Sequence, residues 1–317
     1  MKILDAEITA SALPFGGLID QMEELFANGL TSPDRHHHTM PMQEEPDATL
    51  LLMPAWTETL GCVKVVTATP GNSARKLPAI AGSVLVFDRT TGEHLALLDG
   101  AVLTARRTAA ASALGARHLA REDAQNLLVI GAGKVAAQLP DAFRAVRPIK
   151  TVRIWDVFPA AAERLADTLK EAGWDAQAVP DLETAVPQAD IISAATLATE
   201  PLLKGDWLIP GQHVDLIGAF TPAMREADDR ALQRAHLFVD TKFAAIEAGE
   251  LKTPLETGAI AQTDILGDLY ALTQGKTGRN SAQDITLFKS VGNAVMDLAG
   301  AITATRKLEE DQCLNLP

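Results

Sequence analysis

The chain has 317 residues, 47% of them hydrophobic and 22% charged, with a formal net charge of -13. That length suffices for two domains, each with its own core, and the composition is that of a folded globular protein rather than a disordered one. An acidic chain with 4% aromatic residues lacks both the basic surface and the stacking rings that nucleic-acid partners require.

The opening segment MKILDAEITA carries Asp5 and Glu7 where a secretory signal would need an unbroken apolar run. No uncharged apolar stretch reaches the roughly 18 residues of a membrane span. A cytoplasmic protein with no membrane role is therefore expected. Cys62 and Cys313 lie far apart and make no metal-ligand spacing, so reduced thiols are expected.

The first hundred residues combine one helical stretch, LIDQMEELFANG, with the strand-like runs ATLLLMPAW, CVKVVTATP and AGSVLVFD, which together predict a mainly β region. The Ala-rich LTARRTAAASALGARHLAR then predicts a long helix that tolerates Gly115 and links two domains. From Asn126 onward, apolar strands alternate with amphipathic helices: NLLVIGAG, KVAAQLPDAFRAV, TVRIWDV, PAAAERLADTLKEAG, ADIISAAT, HVDLIGAF and HLFVD. Such alternation predicts a doubly wound parallel sheet. The tail DITLFKSVGNAVMDLAGAITATRKL opens as a strand-like turn and becomes an apolar helix able to return to the first domain. The expected organisation is α/β: a Rossmann-type domain over 119–292 and a mainly β substrate-binding and dimerisation domain over 1–118, joined by 293–317.

The turn Gly131-Ala132-Gly133-Lys134-Val135-Ala136 matches a dinucleotide fingerprint with Ala in the third glycine position. Gly131 permits the tight turn, and Gly133 lets backbone, with Lys134 and Val135 following, come close to a pyrophosphate. A glycine turn alone is a weak signal. Asp156, at the end of the second strand, adds an acid able to accept from both ribose hydroxyls. Its charge would repel a 2′-phosphate, and Val157 offers no guanidinium. NAD(H) is favoured, with NADP(H) left open.

The segments RHHHTMP, GCVKVVTATPGN, VLVFDRTTGEHLALLDGAVLTARRTAAASALGARHLA, VIGAGKVAAQ and TLFKSVGNAVMDLA, spread through nearly the whole chain, resemble the ornithine cyclodeaminase/mu-crystallin family. The resemblance implies a nicotinamide cofactor, a homodimer, and a small-molecule substrate held by Arg35, Lys64 and Arg107, with Lys64 and Arg107 catalytic. It places Ser290 and Val291 at the nicotinamide and substrate end and Thr196 near the cofactor. Arginine as a bidentate clamp and lysine as a point charge suit an α-imino carboxylate. Taken alone, Lys64 on a solvated strand face reads equally well, and Arg106 reads as a surface charge. His36, His37 and His38 alternate in direction and cannot share one ion, so no metal is expected.

Where cyclodeaminases of that family carry a catalytic aspartate, this chain has Phe220, with Met224 at the nearby lysine position and Ala79 in place of a threonine. A phenyl ring cannot move a proton. These departures imply an NAD(P)H-dependent oxidoreductase that reduces a cyclic ketimine carboxylate, 1-pyrroline-2-carboxylate or 1-piperideine-2-carboxylate, without deamination, with Phe220 lining the substrate. An alanine dehydrogenase-like enzyme, an ornithine cyclodeaminase and a non-catalytic mu-crystallin-like binding protein stay open as alternatives.

Overall fold

A computed structural model describes residues 1–30 and 32–310; Cys313 and the end of the expected 293–317 segment lie outside them. The chain divides into two units, one of residues 1–107 with 293–317 and one of residues 108–292. The division falls inside the helix Gly100–Leu119, earlier than the expected boundary at 118. The architecture is α/β, as the alternation of elements predicts.

In the first unit, β1 (Lys2–Leu4), β2 (His36–Met40), β3 (Ala48–Trp56), β4 (Leu60–Ala68), β5 (Ile80–Asp88) and β6 (His94–Asp99) form one sheet in the order β1-β6-β5-β4-β3-β2. All its pairs are antiparallel except β1 with β6. The helix Phe15–Asn28 buries Phe15, Leu18, Ile19, Met22, Leu25 and Phe26, one face of a 3.6-residue period. The C-terminal helix, Ala294–Glu310, packs against that helix and against β3 and β4. Across the sheet's inner face runs a buried row of paired residues, Met53, Lys64, Val84 and Leu98. Lys64 therefore faces the core while Val65 is turned outward, the opposite of a solvated lysine face.

In the second unit, β7 (Asn126–Ile130), β8 (Thr151–Trp155), β9 (Asp175–Ala178), β10 (Ile191–Ala194), β11 (His213–Leu216), β12 (His236–Val239), β13 (Ile265–Asp268) and β14 (Thr286–Lys289) make an eight-stranded parallel sheet in the order β13-β12-β14-β11-β10-β7-β8-β9. Buried Leu128, Ile130, Ile192, Val214, Leu216, Leu237, Val239 and Leu287 form its core. β14 is more than the strand-like turn expected from DITLFK: it pairs with both β11 and β12 and lies well inside the sheet. The run KVAAQLPDAFRAV is a shorter helix than expected, with a 3-10 turn Ala136–Gln138 followed by an α-helix Leu139–Arg144. Pro140, which cannot donate a backbone hydrogen bond, falls in its first turn. Gly115 is explained by contact: a Cβ there would stand 2.7 Å from the ring of Phe288.

Candidate active site

β7 ends where the strand order reverses, with β8 on one side and β10 on the other; doubly wound sheets open their ligand crevice at such a point. Gly131 has φ 108°, and a Cβ on it would approach the Ala195 carbonyl oxygen to 2.7 Å. Its N–H donates to the Trp155 carbonyl at 2.7 Å, fixing the turn to the end of β8. Gly133 borders open space, since a Cβ there would meet nothing within 4 Å. Gly133 and Lys134 are exposed and Val135 is half-buried. Directly after β8, Asp156 accepts from the Ala132 N–H and the Phe158 N–H, each at 2.8 Å. These bonds use one acceptor site on each oxygen and leave others for hydroxyl donors. A turn open on its backbone side, next to an acid held in place, fits a dinucleotide.

The other expected cofactor positions are tied to buried carboxylates. Thr196, just beyond β10, donates to Glu226 Oε1 through its N–H at 2.8 Å and its hydroxyl at 2.9 Å, while the Gly218 N–H donates to Oε2 at 2.7 Å. Glu226 thus joins the loops that follow β10 and β11. Burial is the main reason its carboxyl is pushed up to about 7. Asp240, directly after β12, gathers three groups on Oδ2: the Ser290 hydroxyl at 3.0 Å, the Val291 N–H at 3.0 Å and the Gly292 N–H at 2.7 Å. The Ser290 hydroxyl, expected on the substrate, is directed to this acid, and Ser290 is buried. Phe220, on the loop after β11, is 43% exposed.

In the first unit the structure brings Lys64 and Arg107 together on a residue the sequence reading did not single out. Lys64 Nζ donates to Asp297 Oδ1 at 2.8 Å, and Arg107 Nε lies 3.0 Å from the same oxygen without the alignment of a hydrogen bond. All three side chains are buried. Arg107 also reaches Met296 Sδ at 3.7 Å. Burial, and then the charge of Arg107, bring Lys64 down to about 8 from 10.5; Asp297 opposes both, and Arg35 adds a weaker repulsion. Arg35 itself is half-buried, and its charge reaches Lys64. Cys62, two residues along the same strand face, is buried with its thiol held protonated, chiefly by desolvation. Arg106 is not the surface charge expected of it: its Nε donates to the Leu13 carbonyl at 2.9 Å and its guanidinium stacks 4.3 Å over the Phe15 ring. His36 and His38 share one face of β2 with ring centroids 6.4 Å apart.

Asp297 did leave a trace in the sequence, as a single acid inside the apolar run NAVMDLAGAITA, and Asp240 another, at the end of HLFVD. Glu226 left none. It stands among Arg225, Asp228 and Asp229, and only the fold shows which of these acids is buried.

The parallel sheet, its glycine turn at the switch point and the acid after the neighbouring strand define a Rossmann-type nucleotide-binding unit, joined in this chain to a six-stranded, mainly antiparallel one. Residues 6–311 match the model of the ornithine cyclodeaminase/mu-crystallin family, and the chain belongs to that family. It is 45% identical over 275 residues to the Delta(1)-pyrroline-2-carboxylate reductase of Paracoccus denitrificans, covering 83% of this chain and 87% of that one. The solved Thermococcus litoralis Delta(1)-pyrroline-2-carboxylate reductase, in complex with NADH and L-proline, superposes with a TM-score of 0.90 at 30% identity over 100% of both chains. An archaeal alanine dehydrogenase dimer with bound NAD gives a TM-score of 0.89 at 27% identity, covering 99% of this chain and 98% of that one.

Proposed function

We propose that the protein reduces the C=N bond of a cyclic α-imino carboxylate, converting 1-pyrroline-2-carboxylate to L-proline and its six-membered homologue 1-piperideine-2-carboxylate to L-pipecolate, with NADH as reductant. The observation that carries this reading is the buried pair Lys64 and Arg107 facing a single shared carboxylate, Asp297. Two cations against one anion leave positive charge in a place with little water, where desolvation is costly. A substrate carboxylate would balance it through charge-assisted hydrogen bonds to Arg107, with Arg35 contributing to the same field. The names of the relatives at 45% and 30% identity support the same chemistry.

The backbone of Gly131, Gly133, Lys134 and Val135 would hold the pyrophosphate, Asp156 the adenosine ribose, and the loops of Thr196 and Val291 the nicotinamide end. When bound, the nicotinamide supplies the hydride that the imine carbon accepts. The chain contributes orientation and the proton: Arg107 fixes the substrate carboxylate, and the Lys64 ammonium, close to its balance point near neutral pH, gives a proton to the ring nitrogen as the C=N pair moves onto it. Hydride and proton together make the secondary amine. Phe220, without charge or exchangeable proton, suits a flat ring and lacks the group that amine expulsion from a diamine would need. Ser290, bonded to Asp240, would hold the loop of Val291 in place at the nicotinamide end. The remaining acceptor sites of the Asp156 carboxylate, its charge, and the exposed Val157 favour NADH over NADPH.

The assembly we propose is a homodimer formed through the outer face of the first sheet, where Leu52, Pro54, Val63, Val65, Leu85, Leu97 and Ile3 give an apolar surface that is half-buried to exposed. The dimeric alanine dehydrogenase neighbour supports it. No helix among the described residues is long and apolar enough to cross a membrane, and we assign the reaction to the cytoplasm, where reduced nicotinamide is maintained. An assay of NADH oxidation comparing the two cyclic imines with pyruvate plus ammonia tests the reaction. Faster turnover of pyruvate plus ammonia would contradict it. Sedimentation at micromolar concentration showing mainly monomer would contradict the dimer.

A further inference from the structure

We propose that Asp297 is a positioning residue, whose buried carboxylate binds Lys64 and Arg107 into one fixed pair and keeps Lys64 an ammonium ready for an incoming carboxylate. The inference rests on the reading of Lys64 and Arg107 as the carboxylate grip. It adds the cause of their arrangement, which lies on a third element far along the chain.

Lys64 stands on β4 in a row of buried apolar partners, Arg107 on the helix Gly100–Leu119, and Asp297 on the C-terminal helix. Nothing in the strand itself would keep a lysine charged there. Its cross-strand neighbours Met53 and Val84 offer no acceptor, the neighbouring thiol Cys62 is neutral, and the charges that reach it from Arg107 and Arg35 both repel an ammonium. Desolvation works in the same direction. Asp297 is the opposing influence, by charge and by the 2.8 Å hydrogen bond from Nζ. Because Arg107 Nε meets the same oxygen at 3.0 Å, one carboxylate fixes the separation of both cations. Asp297 Oδ2 has no hydrogen-bond partner among the described residues, so the acid is committed to the pair and not to a competing network.

Two consequences follow from the charge count. With Asp297 alone the pair is under-neutralised, and Lys64 sits near its balance point. Binding of a second carboxylate completes the count and draws Lys64 fully into the ammonium form, so the group that gives up a proton is loaded by the ligand that receives it. Removing the Asp297 charge should leave Lys64 neutral at lower pH and let the Arg107 guanidinium move away from its position.

The test compares the parent with Asp297→Asn, Asp297→Ser and Asp297→Glu, each checked for folding by circular dichroism, using two readouts across pH. The first is kcat/KM for 1-pyrroline-2-carboxylate. The second needs no turnover: calorimetric binding of pyrrole-2-carboxylate, a flat carboxylate probe with no reducible imine. In the uncharged variants the alkaline fall of both readouts should start about one pH unit lower than in the parent, and probe affinity should drop roughly tenfold. Asp297→Glu, which keeps the charge, should hold the alkaline fall near the parent's position. Two uncharged variants are included so that the comparison can be made on whichever folds. Should neither fold, Asp297→Glu is compared with the parent, and an alkaline fall displaced by about one pH unit or more although the charge is kept overturns the proposal. A lowered melting temperature with unmoved pH curves would reduce Asp297 to a packing role and overturn it as well. A parent that binds the probe but reduces no cyclic imine would remove the reaction assigned above while the binding curves still decide on Asp297, and a parent that does neither overturns both.

Discussion

In the function proposed above, the glycine turn of the second unit and the cation pair of the first meet the same demand, holding a negatively charged group, in opposite ways. In the turn, backbone does the holding: Gly131 and Gly133 leave room, and Asp156, one strand later in the chain, is fixed by two N–H groups. In the cation pair, side chains do it, and they come from β4, the helix Gly100–Leu119 and the C-terminal helix, with burial raising the strength of every interaction among them. A backbone cradle tolerates changes of side chain around it. A buried ion triad does not, because each member is the counter-charge of another.

That contrast makes Arg107→Ala the substitution with the largest expected effect. Loss of a charge-assisted contact is about 1.5–3 kcal/mol, and misplacement of the substrate adds to it, so kcat/KM should fall by roughly a hundredfold or more. Arg106→Ala is its control. It loses a bond to the Leu13 carbonyl and a stack on Phe15, so it should lower the melting temperature while leaving turnover per folded molecule within about threefold. If Arg106→Ala were the more damaging to turnover, the two arginines would have exchanged roles.

A smaller effect is expected at the cradle. Asp156→Ser combined with Val157→Arg removes the repulsion of a 2′-phosphate and adds a partner for it, and should shift the NADH to NADPH preference by about tenfold or more, read as the ratio of kcat/KM values. Stronger binding of NADPH than of NADH by the parent protein would contradict the role given to Asp156.

The pH dependence should separate the two regions without any mutation. Lys64, brought down to about 8, is an ammonium below that value, so kcat/KM should be level on the acid side and fall as pH rises through about 8. Its mark on stability has the opposite sign: between about 8 and 10.5 the folded protein has released a proton that the unfolded chain still holds, so this group's contribution to stability rises with pH over that window. The smallest change tests packing in the second unit. Gly115→Ala would place a methyl 2.7 Å from the Phe288 ring, and should destabilise by about 1–3 kcal/mol in denaturant unfolding with NADH affinity little altered.

How much of this was legible in the sequence follows from the same contrast. The doubly wound unit was readable because its strands are short apolar runs at regular spacing, and the turn and its acid lie within one strand-helix-strand stretch. β14 was underestimated because a parallel strand shows its neighbours nowhere in its own sequence. In the first unit Lys64 and Arg107 came from family likeness, since alternation alone allows a solvated lysine face equally well; in the fold Lys64 lies on the buried side of β4 and bonds to Asp297, on a helix from the far end of the chain. Arg106 and Arg107, adjacent and chemically identical, are distinguished only by which side of the helix meets the core. Ser290 was expected at the nicotinamide and substrate end; its hydroxyl bonds to Asp240, which no local pattern connects with it.

A carboxylate grip without an amine-handling acid should make a reductase and not a deaminase. The most direct measurement gives the purified protein NADH with freshly prepared 1-pyrroline-2-carboxylate in one reaction and NAD with L-ornithine in another, following proline by amino-acid analysis and ammonia by a coupled assay. The predicted result is NADH consumed in equal measure to L-proline formed, with no ammonia from ornithine. Ammonia release from ornithine at a rate similar to imine reduction would contradict it.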